Sequence, residues 1–220
     1  MHFEFLTEDQ SGRVMLELLL PNLLSKADGH TYNVHAYKGV GRIPKGMKPS
    51  VDANKRILLD QLPRLLAGYG KAFEQYGDDY AAAVVIVCDL DDRNKDVFEK
   101  ELRALTAKLR PCPSHAFCLA IEEGEAWFLG DKHAIRAAYP QAKRAVLAGY
   151  KQDSICGTWE VLANAVCEGG AEALHQEGWM RVGKEKTSWS ENITPHMNVD
   201  ENESPSFNRF IAKVRHFAQR

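Results

Sequence analysis

Along the first 140 residues the apolar positions repeatedly switch from a strand-like to a helical period. His2 to Thr7 reads as a short strand, and Ser11-Gly12 then leads into VMLELLLPNLL, a mostly buried helix that Pro21 kinks or ends. After the turn residues Ala27-Asp28-Gly29, alternation over Thr31 to Tyr37 predicts a second strand, which runs into the basic, glycine-rich loop KGVGRIPKG. From Asp52 onward Ile57, Leu58, Leu62, Leu65, Leu66 and Tyr69 fall on one stripe, so a long helix covering a sheet is expected. Ala81 to Cys88 (AAAVVIVC) is continuously apolar and rich in β-branched residues, the pattern of a central parallel strand buried on both faces. Phe98, Leu102, Leu105 and Leu109 mark the apolar face of the next helix, closed by Pro111 and Pro113. A fourth strand, Ala116 to Ile121, precedes EEGEAWFLGD and a helix that continues towards Tyr139.

Beyond Pro140 no strand pattern appears. Trp159 to Val166 and Ala171 to Glu177 read as short helices and Ser206 to Phe217 as a terminal one. Repeated β-to-α alternation predicts an α/β fold: a mostly parallel four-stranded sheet, flanked by helices and joined by right-handed crossovers. Residues 1–140 form this core, and residues 141–220 a mainly helical extension packed on it as part of one structural unit. There is no internal repeat and no low-complexity tract.

Composition narrows the class. A chain of 220 residues with 45% hydrophobic and 26% charged residues fits one large globular domain, and disorder or a fibrous architecture does not. The net charge of −2 supplies no global field for nucleic acid, so any such contact needs a local basic patch or a partner. The five cysteines are odd in number, and Cys88 and Cys118 lie in apolar runs where a reduced thiol packs as a small hydrophobe, which suits a reducing cytosol. Cys112, His115 and Cys118 have a ligand-like spacing, but Cys118 is within a strand and no fourth ligand is close in sequence, so zinc is not expected. The N-terminus MHFEFLTEDQ lacks a leader pattern and no apolar run reaches bilayer-spanning length, so a cytoplasmic protein is expected. On that footing Asn192-Ile193-Thr194 carries no glycosylation signal.

In open α/β sheets ligands bind outside the carboxyl ends of the strands. Here those positions are acidic: Glu8 and Asp9 after the first strand, Asp89, Asp91 and Asp92 after the third, Glu122, Glu123 and Glu125 after the fourth. The second strand instead offers Lys38, Arg42 and Lys45, with Gly39, Gly41 and Gly46 permitting close backbone approach. Gathered carboxylates repel one another unless one is protonated or a cation neutralises them, and magnesium needs only one or two, keeping its other positions for water and phosphate. Acids after strands also serve as helix caps or solvated loop charges. Asp9 and Glu123 are read that way, and Asp92 equally as a cap. Trp127 and Phe128 are read as core rather than as base-stacking residues. The glycine loop lacks a phosphate-loop ending and is assigned an auxiliary phosphate contact. Asp-Leu-Asp after an apolar strand also fits the first motif of a haloacid-dehalogenase-type phosphatase, with Asp89 as nucleophile, but no later pattern supplies that family's lysine and terminal acids in order.

Glu8 followed by the pair Asp89-x-Asp91 resembles a TOPRIM domain, the metal-binding module of topoisomerases, primases and OLD-type nucleases. More narrowly, LTEDQSG, VVIVCDLDDR, LAIEEGEAWFLGD and ITPHMNVDENESPSFNRF, in this order over almost the whole chain, resemble a bacterial domain-of-unknown-function family of TOPRIM-like proteins. That resemblance implies a magnesium- or manganese-dependent nuclease or phosphotransferase acting on nucleic-acid phosphodiesters. The resemblance places Glu8, Asp89 and Asp91 as metal ligands and catalytic residues; from their position at the same sheet edge, Glu122 is added to the metal ligands and Glu125 to the catalytic set, either one completing a second metal site, and Lys38 and Arg42 are the expected phosphate contacts. It also implies an ABC-type or OLD-like ATPase as partner and a role in phage defence. One departure is the Asp9-Gln10 that follows Glu8, where a TOPRIM glutamate is usually followed by glycine. The alternative is a non-catalytic TOPRIM-like module that binds an ATPase. His196, Ser204 and Ser206 in the tail are read as structural caps.

Overall fold

The computed structural model describes residues 1–44, 53–77 and 79–219, so Lys45, Gly46 and Asp52, named above, lie outside the described residues. Four strands, β1 (His2–Thr7), β2 (Thr31–Ala36), β3 (Ala82–Asp89) and β4 (His115–Ala120), form one sheet in the order β2-β1-β3-β4, and every pairing is parallel. Parallel neighbours need crossovers, and helices supply them. The helices are α1 (Gln10–Leu19), α2 (Leu58–Gln75), α3 (Lys95–Ala107), α4 (Glu125–Leu129), α5 (Lys132–Ala138), α6 (Arg144–Gly149), α7 (Thr158–Val166), α8 (Gly170–Glu177), α9 (Trp179–Ile193) and α10 (Pro205–Ala218).

Side-chain alternation along the strands divides the core into two layers. Phe3, Phe5, Val85, Val87, Cys118 and Ala120 face the layer that contains Met15, Leu16, Trp127, Trp189, Phe207 and Phe210. Leu6, Val84, Ile86 and Leu119 face the other, built with Leu58, Leu62 and Leu66 of α2 and Phe98 and Leu102 of α3. Residues beyond 140 therefore share the core of one sheet face with the strands. Trp127 is fully buried, Phe128 is 2% exposed, and the Trp127 ring stacks on Phe210 with centroids 5.0 Å apart.

The elements depart from the sequence expectation in a few places. α1 is followed at Leu20–Asn22 by a tighter helical turn containing Pro21, so the proline ends the regular helix. α2 begins only at Leu58, because Ile57 before it is extended. The helix expected to continue to Tyr139 is two helices, since Asp131 has non-helical dihedrals and caps α5 by accepting from the Ala134 amide at 2.8 Å. In the C-terminal third, α6 and the 15-residue α9 are both additional to the expected elements.

Candidate functional site

The carboxyl edge of the sheet is shaped by three chain reversals. Asp9, extended at φ −146°, caps α1 by accepting from the Gly12 amide at 2.8 Å and from Ser11 Oγ at 2.7 Å. A methyl group at Gly12 would run into the Thr7 hydroxyl, so glycine lets the helix start directly against the end of β1. Asp91 (φ 51°) and Glu122 (φ 64°) both turn the chain through the left-handed region, and the Asp91 amide donates to the Glu122 carbonyl at 2.8 Å. These reversals turn the three acidic strand ends towards one another.

Between them lies a cavity of about 30 Å³, lined by Glu8, Asp89, Glu125 and Lys186 among others. A space of this size holds an ion or a water molecule rather than an organic ligand. Glu8 Oε2 accepts from the Asp89 backbone amide at 3.1 Å, which ties the end of β1 to the end of β3 across 81 residues of sequence. Lys186 arrives from α9 with its side chain 16% exposed, and its Nζ lies 3.1 Å from Glu123 Oε1 and 3.2 Å from Glu125 Oε2.

Burial and mutual repulsion govern the charges. Glu8 is pushed up to about 7, chiefly by burial, with the Asp89 amide working the other way and Asp9 and Asp91 adding repulsion. Asp89 is raised well above the usual carboxylate range by burial and by the Glu8 charge. Glu123 rises to about 7, again mainly by burial, although Lys186 opposes the shift. Burial works against the Lys186 charge too, but attraction to Glu125, Glu123 and Asp89 overcomes it and holds the ammonium above lysine's ordinary value.

A second buried acid in the same molecule gives the contrast. Glu4, 8% exposed, accepts from Asn33 Nδ2 at 3.0 Å and Tyr69 OH at 3.3 Å, and His2 and His35 ring nitrogens lie 3.0 and 2.6 Å from its oxygens. Although burial raises it, these partners hold its pKa down at about 2. That is how a structural carboxylate is accommodated. Among the described residues the Asp89 carboxylate has no hydrogen bond and no ion pair, and the sole partner of the Glu8 carboxylate is the Asp89 amide.

The structure sorts the residues singled out from sequence into three groups. Glu8, Asp89 and Glu125 line the cavity, as do Asp9, Trp127 and Phe128. Asp91 stands outside its lining, ion-paired to Arg93 at 2.9 Å, yet close enough to raise Glu8. Glu122, expected as a metal ligand, is turned the other way: its oxygens accept from the amides of Cys156 (3.0 Å), Gly157 (2.9 Å) and Thr158 (2.9 Å) and from the Thr158 hydroxyl. It closes the start of α7, and these hydrogen bonds outweigh burial and lower its pKa. Lys38 and Arg42 are exposed and do not line the cavity; Arg42 borders a separate groove of about 660 Å³ with Leu59, Pro63, Phe98 and Leu105. The backbone of that loop does reach the site, because the Gly39 amide donates to the Glu8 carbonyl at 2.7 Å. Asp9 is the cap expected of it, whereas Asn94 rather than Asp92 caps α3. Glu123, expected as a cap or a solvated charge, accepts from the Trp159 amide at 3.2 Å and also pairs with Lys186. Ser204 caps α10, and Ser206 accepts from Trp127 Nε1 at 3.0 Å.

Lys186 escaped the sequence reading. On α9 the buried residues Val182, Trp189, Ser190 and Ile193 leave a gap at 186, one turn after Val182, and a lysine at a position of that inward stripe is the signal that was present.

Among the described residues no three His, Cys, Asp or Glu side chains are grouped so as to hold a metal ion by themselves. Glu8 and Asp89 supply two hard oxygen donors at one cavity, which is within what magnesium requires of a protein. No helix among the described residues is long and apolar enough to cross a membrane. A family model described as Domain of unknown function (DUF4276) matches residues 7–215. Comparison with curated proteins gave no match. Comparison with solved structures gave none either.

Proposed function

The chain belongs to the DUF4276 family, and from the acids at its sheet edge we propose that it is a cytoplasmic TOPRIM-like, metal-dependent enzyme of phosphodiester chemistry, a nuclease or phosphotransferase. The observation that carries this reading is the pairing of Glu8 with Asp89 at one small cavity, both carboxyls raised in pKa and without a neutralising ion pair among the described residues. Two acids so placed gain from a divalent cation, and the space suits one. Glu8 and Asp89 would hold magnesium or manganese, with Asp91 at the margin of the site. Once bound, the ion supplies Lewis-acid polarisation of a phosphoryl oxygen and favours a nucleophile at neutral pH.

The chain's own groups do the rest. The Asp89 amide fixes the Glu8 carboxylate towards the cavity. Lys186 adds positive charge where the substrate phosphate would enter. The Glu8 carboxyl, raised to about 7, can take a proton near neutral pH. Nucleic acid is the proposed substrate, an ABC-type or OLD-like ATPase the proposed partner, and phage defence the proposed setting. With a net charge of −2 the basic surface that holds a polynucleotide would come from that partner.

The test is Mg²⁺- or Mn²⁺-dependent cleavage of single- and double-stranded DNA and RNA, with and without the partner. Asp89→Asn and Glu8→Gln are each expected to lower the rate by about 10²-fold or more with the fold retained. Variants that cleave like the wild type would refute the assignment.

A second reading has its own observation. Lys186 already gives the acids a cation, which favours a non-catalytic module that binds an ATPase and needs no metal. In that case manganese would not bind, and the variants would leave partner binding unchanged.

A further inference from the structure

The acids at this edge are not equivalent, and their partners separate them. Asp9 is consumed by the cap of α1. Glu123 and Glu125 converge on one ammonium, that of Lys186, at 3.1 and 3.2 Å. Glu8 and Asp89 form the other half of the cluster, joined to each other through the Asp89 amide. Carboxylates gathered in this way are relieved by a proton or by positive charge. The chain itself supplies it on one side: a helix from the C-terminal third carries a lysine into a position where its neighbours Val182, Trp189 and Ile193 are buried hydrophobics. The two carboxylates offset the cost of holding an ammonium there, since a buried charge without partners is costly.

We infer that Lys186 is a resident second cation, so that the site takes a single divalent ion, which Glu8 and Asp89 would hold, while the Lys186 ammonium neutralises Glu123 and Glu125 in place of a second ion. This rests on the reading of the preceding subsection. Glu125 then contacts no metal; it positions Lys186. An ammonium has three protons to donate. Glu123 and Glu125 engage Nζ, and the third proton remains for an anionic oxygen brought into the cavity that Lys186 lines.

The experiment counts Mn²⁺ bound to the 220-residue chain by equilibrium dialysis and electron paramagnetic resonance at about pH 8. The wild type is expected to bind one ion per chain and Lys186→Arg also one. Lys186→Met, which keeps the apolar stem and removes the charge, is expected to bind two. Two ions in the wild type, or one in a folded Lys186→Met variant, would overturn the inference and leave the metal-dependent reading standing. No bound Mn²⁺ in the wild type would remove that reading and the inference with it. Glu125→Gln provides a check that does not need Lys186 removed: it should keep its Mn²⁺ with affinity within about tenfold of the wild type. A larger loss would make Glu125 a metal ligand and overturn the assignment of Lys186.

Discussion

At the scale of single residues, the protein handles buried carboxylates in two opposite ways, and the difference has a measurable pH signature. Glu4 is surrounded by partners and its pKa is driven down, whereas Glu8 is driven up to about 7. For a carboxyl raised on folding, the native state favours the protonated form. The metal-free protein should therefore lose stability as pH climbs from the ordinary value of 4.5 through about 7, where Glu8 ionises. A divalent ion competes with that same proton. Mn²⁺ affinity measured by calorimetry is expected to strengthen as pH rises through about 7, by about tenfold per pH unit for the one proton on Glu8. Glu8→Gln should flatten that slope. A profile unchanged by the substitution would assign the titration to another group.

The identity of the acids was legible in the chain, because a run such as AAAVVIVC ending in Asp-Leu-Asp marks a buried strand delivering charge to a sheet edge. Their partners were not. Glu122 and Glu125 are three residues apart and look interchangeable in sequence, yet the left-handed turn at Glu122 sends one to the start of α7 and leaves the other at the cavity. Period and spacing carry no information about a φ of 64° at a glutamate.

At the scale of elements, the four strands and their parallel direction follow from alternation between strand and helix patterns, and the structure has them within a residue or so of the expected ends; the order β2-β1-β3-β4 comes from the structure. α9 was hidden for a physical reason. Its inward stripe is interrupted by Lys186, so the helical period that a core-facing helix should show is broken where function or charge balance has displaced a hydrophobe. The junction between sheet and C-terminal layer is likewise polar: the Glu122 side chain gathers three backbone amides and a hydroxyl ahead of α7. Removing it in Glu122→Ala leaves those amides without partners and should cost about 1–3 kcal/mol in urea unfolding at pH 7. Because the pKa of Glu122 is lowered on folding, this contribution is present above the ordinary value of 4.5 and fades as pH falls below it. The gap between wild type and variant should accordingly shrink in acid. Mn²⁺ binding by the variant should match the wild type, since Glu122 faces away from the cavity; a lost ion would return it to the ligand set.

At the scale of the whole molecule, the division between residues 1–140 and 141–220 is one of pattern rather than of core. The face of the sheet formed by Phe3, Phe5 and Val85 has no other cover than a layer to which α1, α4, α9 and α10 all contribute, among the described residues. Phe210 of α10 is fully buried, stacks on Trp127 at 5.0 Å and meets Phe5 of β1 at 6.5 Å, edge to face. One side chain thus bridges the last helix, the helix after β4 and the first strand. If the extension were a separate unit, truncating Phe210 would loosen α10 alone and leave a sheet that unfolds as before. With a shared core, Phe210→Ala should instead lower the stability of the entire protein by about 3–5 kcal/mol, the range for opening a large aromatic cavity. It should do so in a single transition seen alike by near-ultraviolet and far-ultraviolet circular dichroism. The same coupling bears on the site, because Lys186 reaches Glu123 and Glu125 only while α9 is docked on α1. Two separated transitions, with the second at the wild-type midpoint, would show that the helical layer and the sheet fold independently and that the lysine is delivered to a site already formed without it.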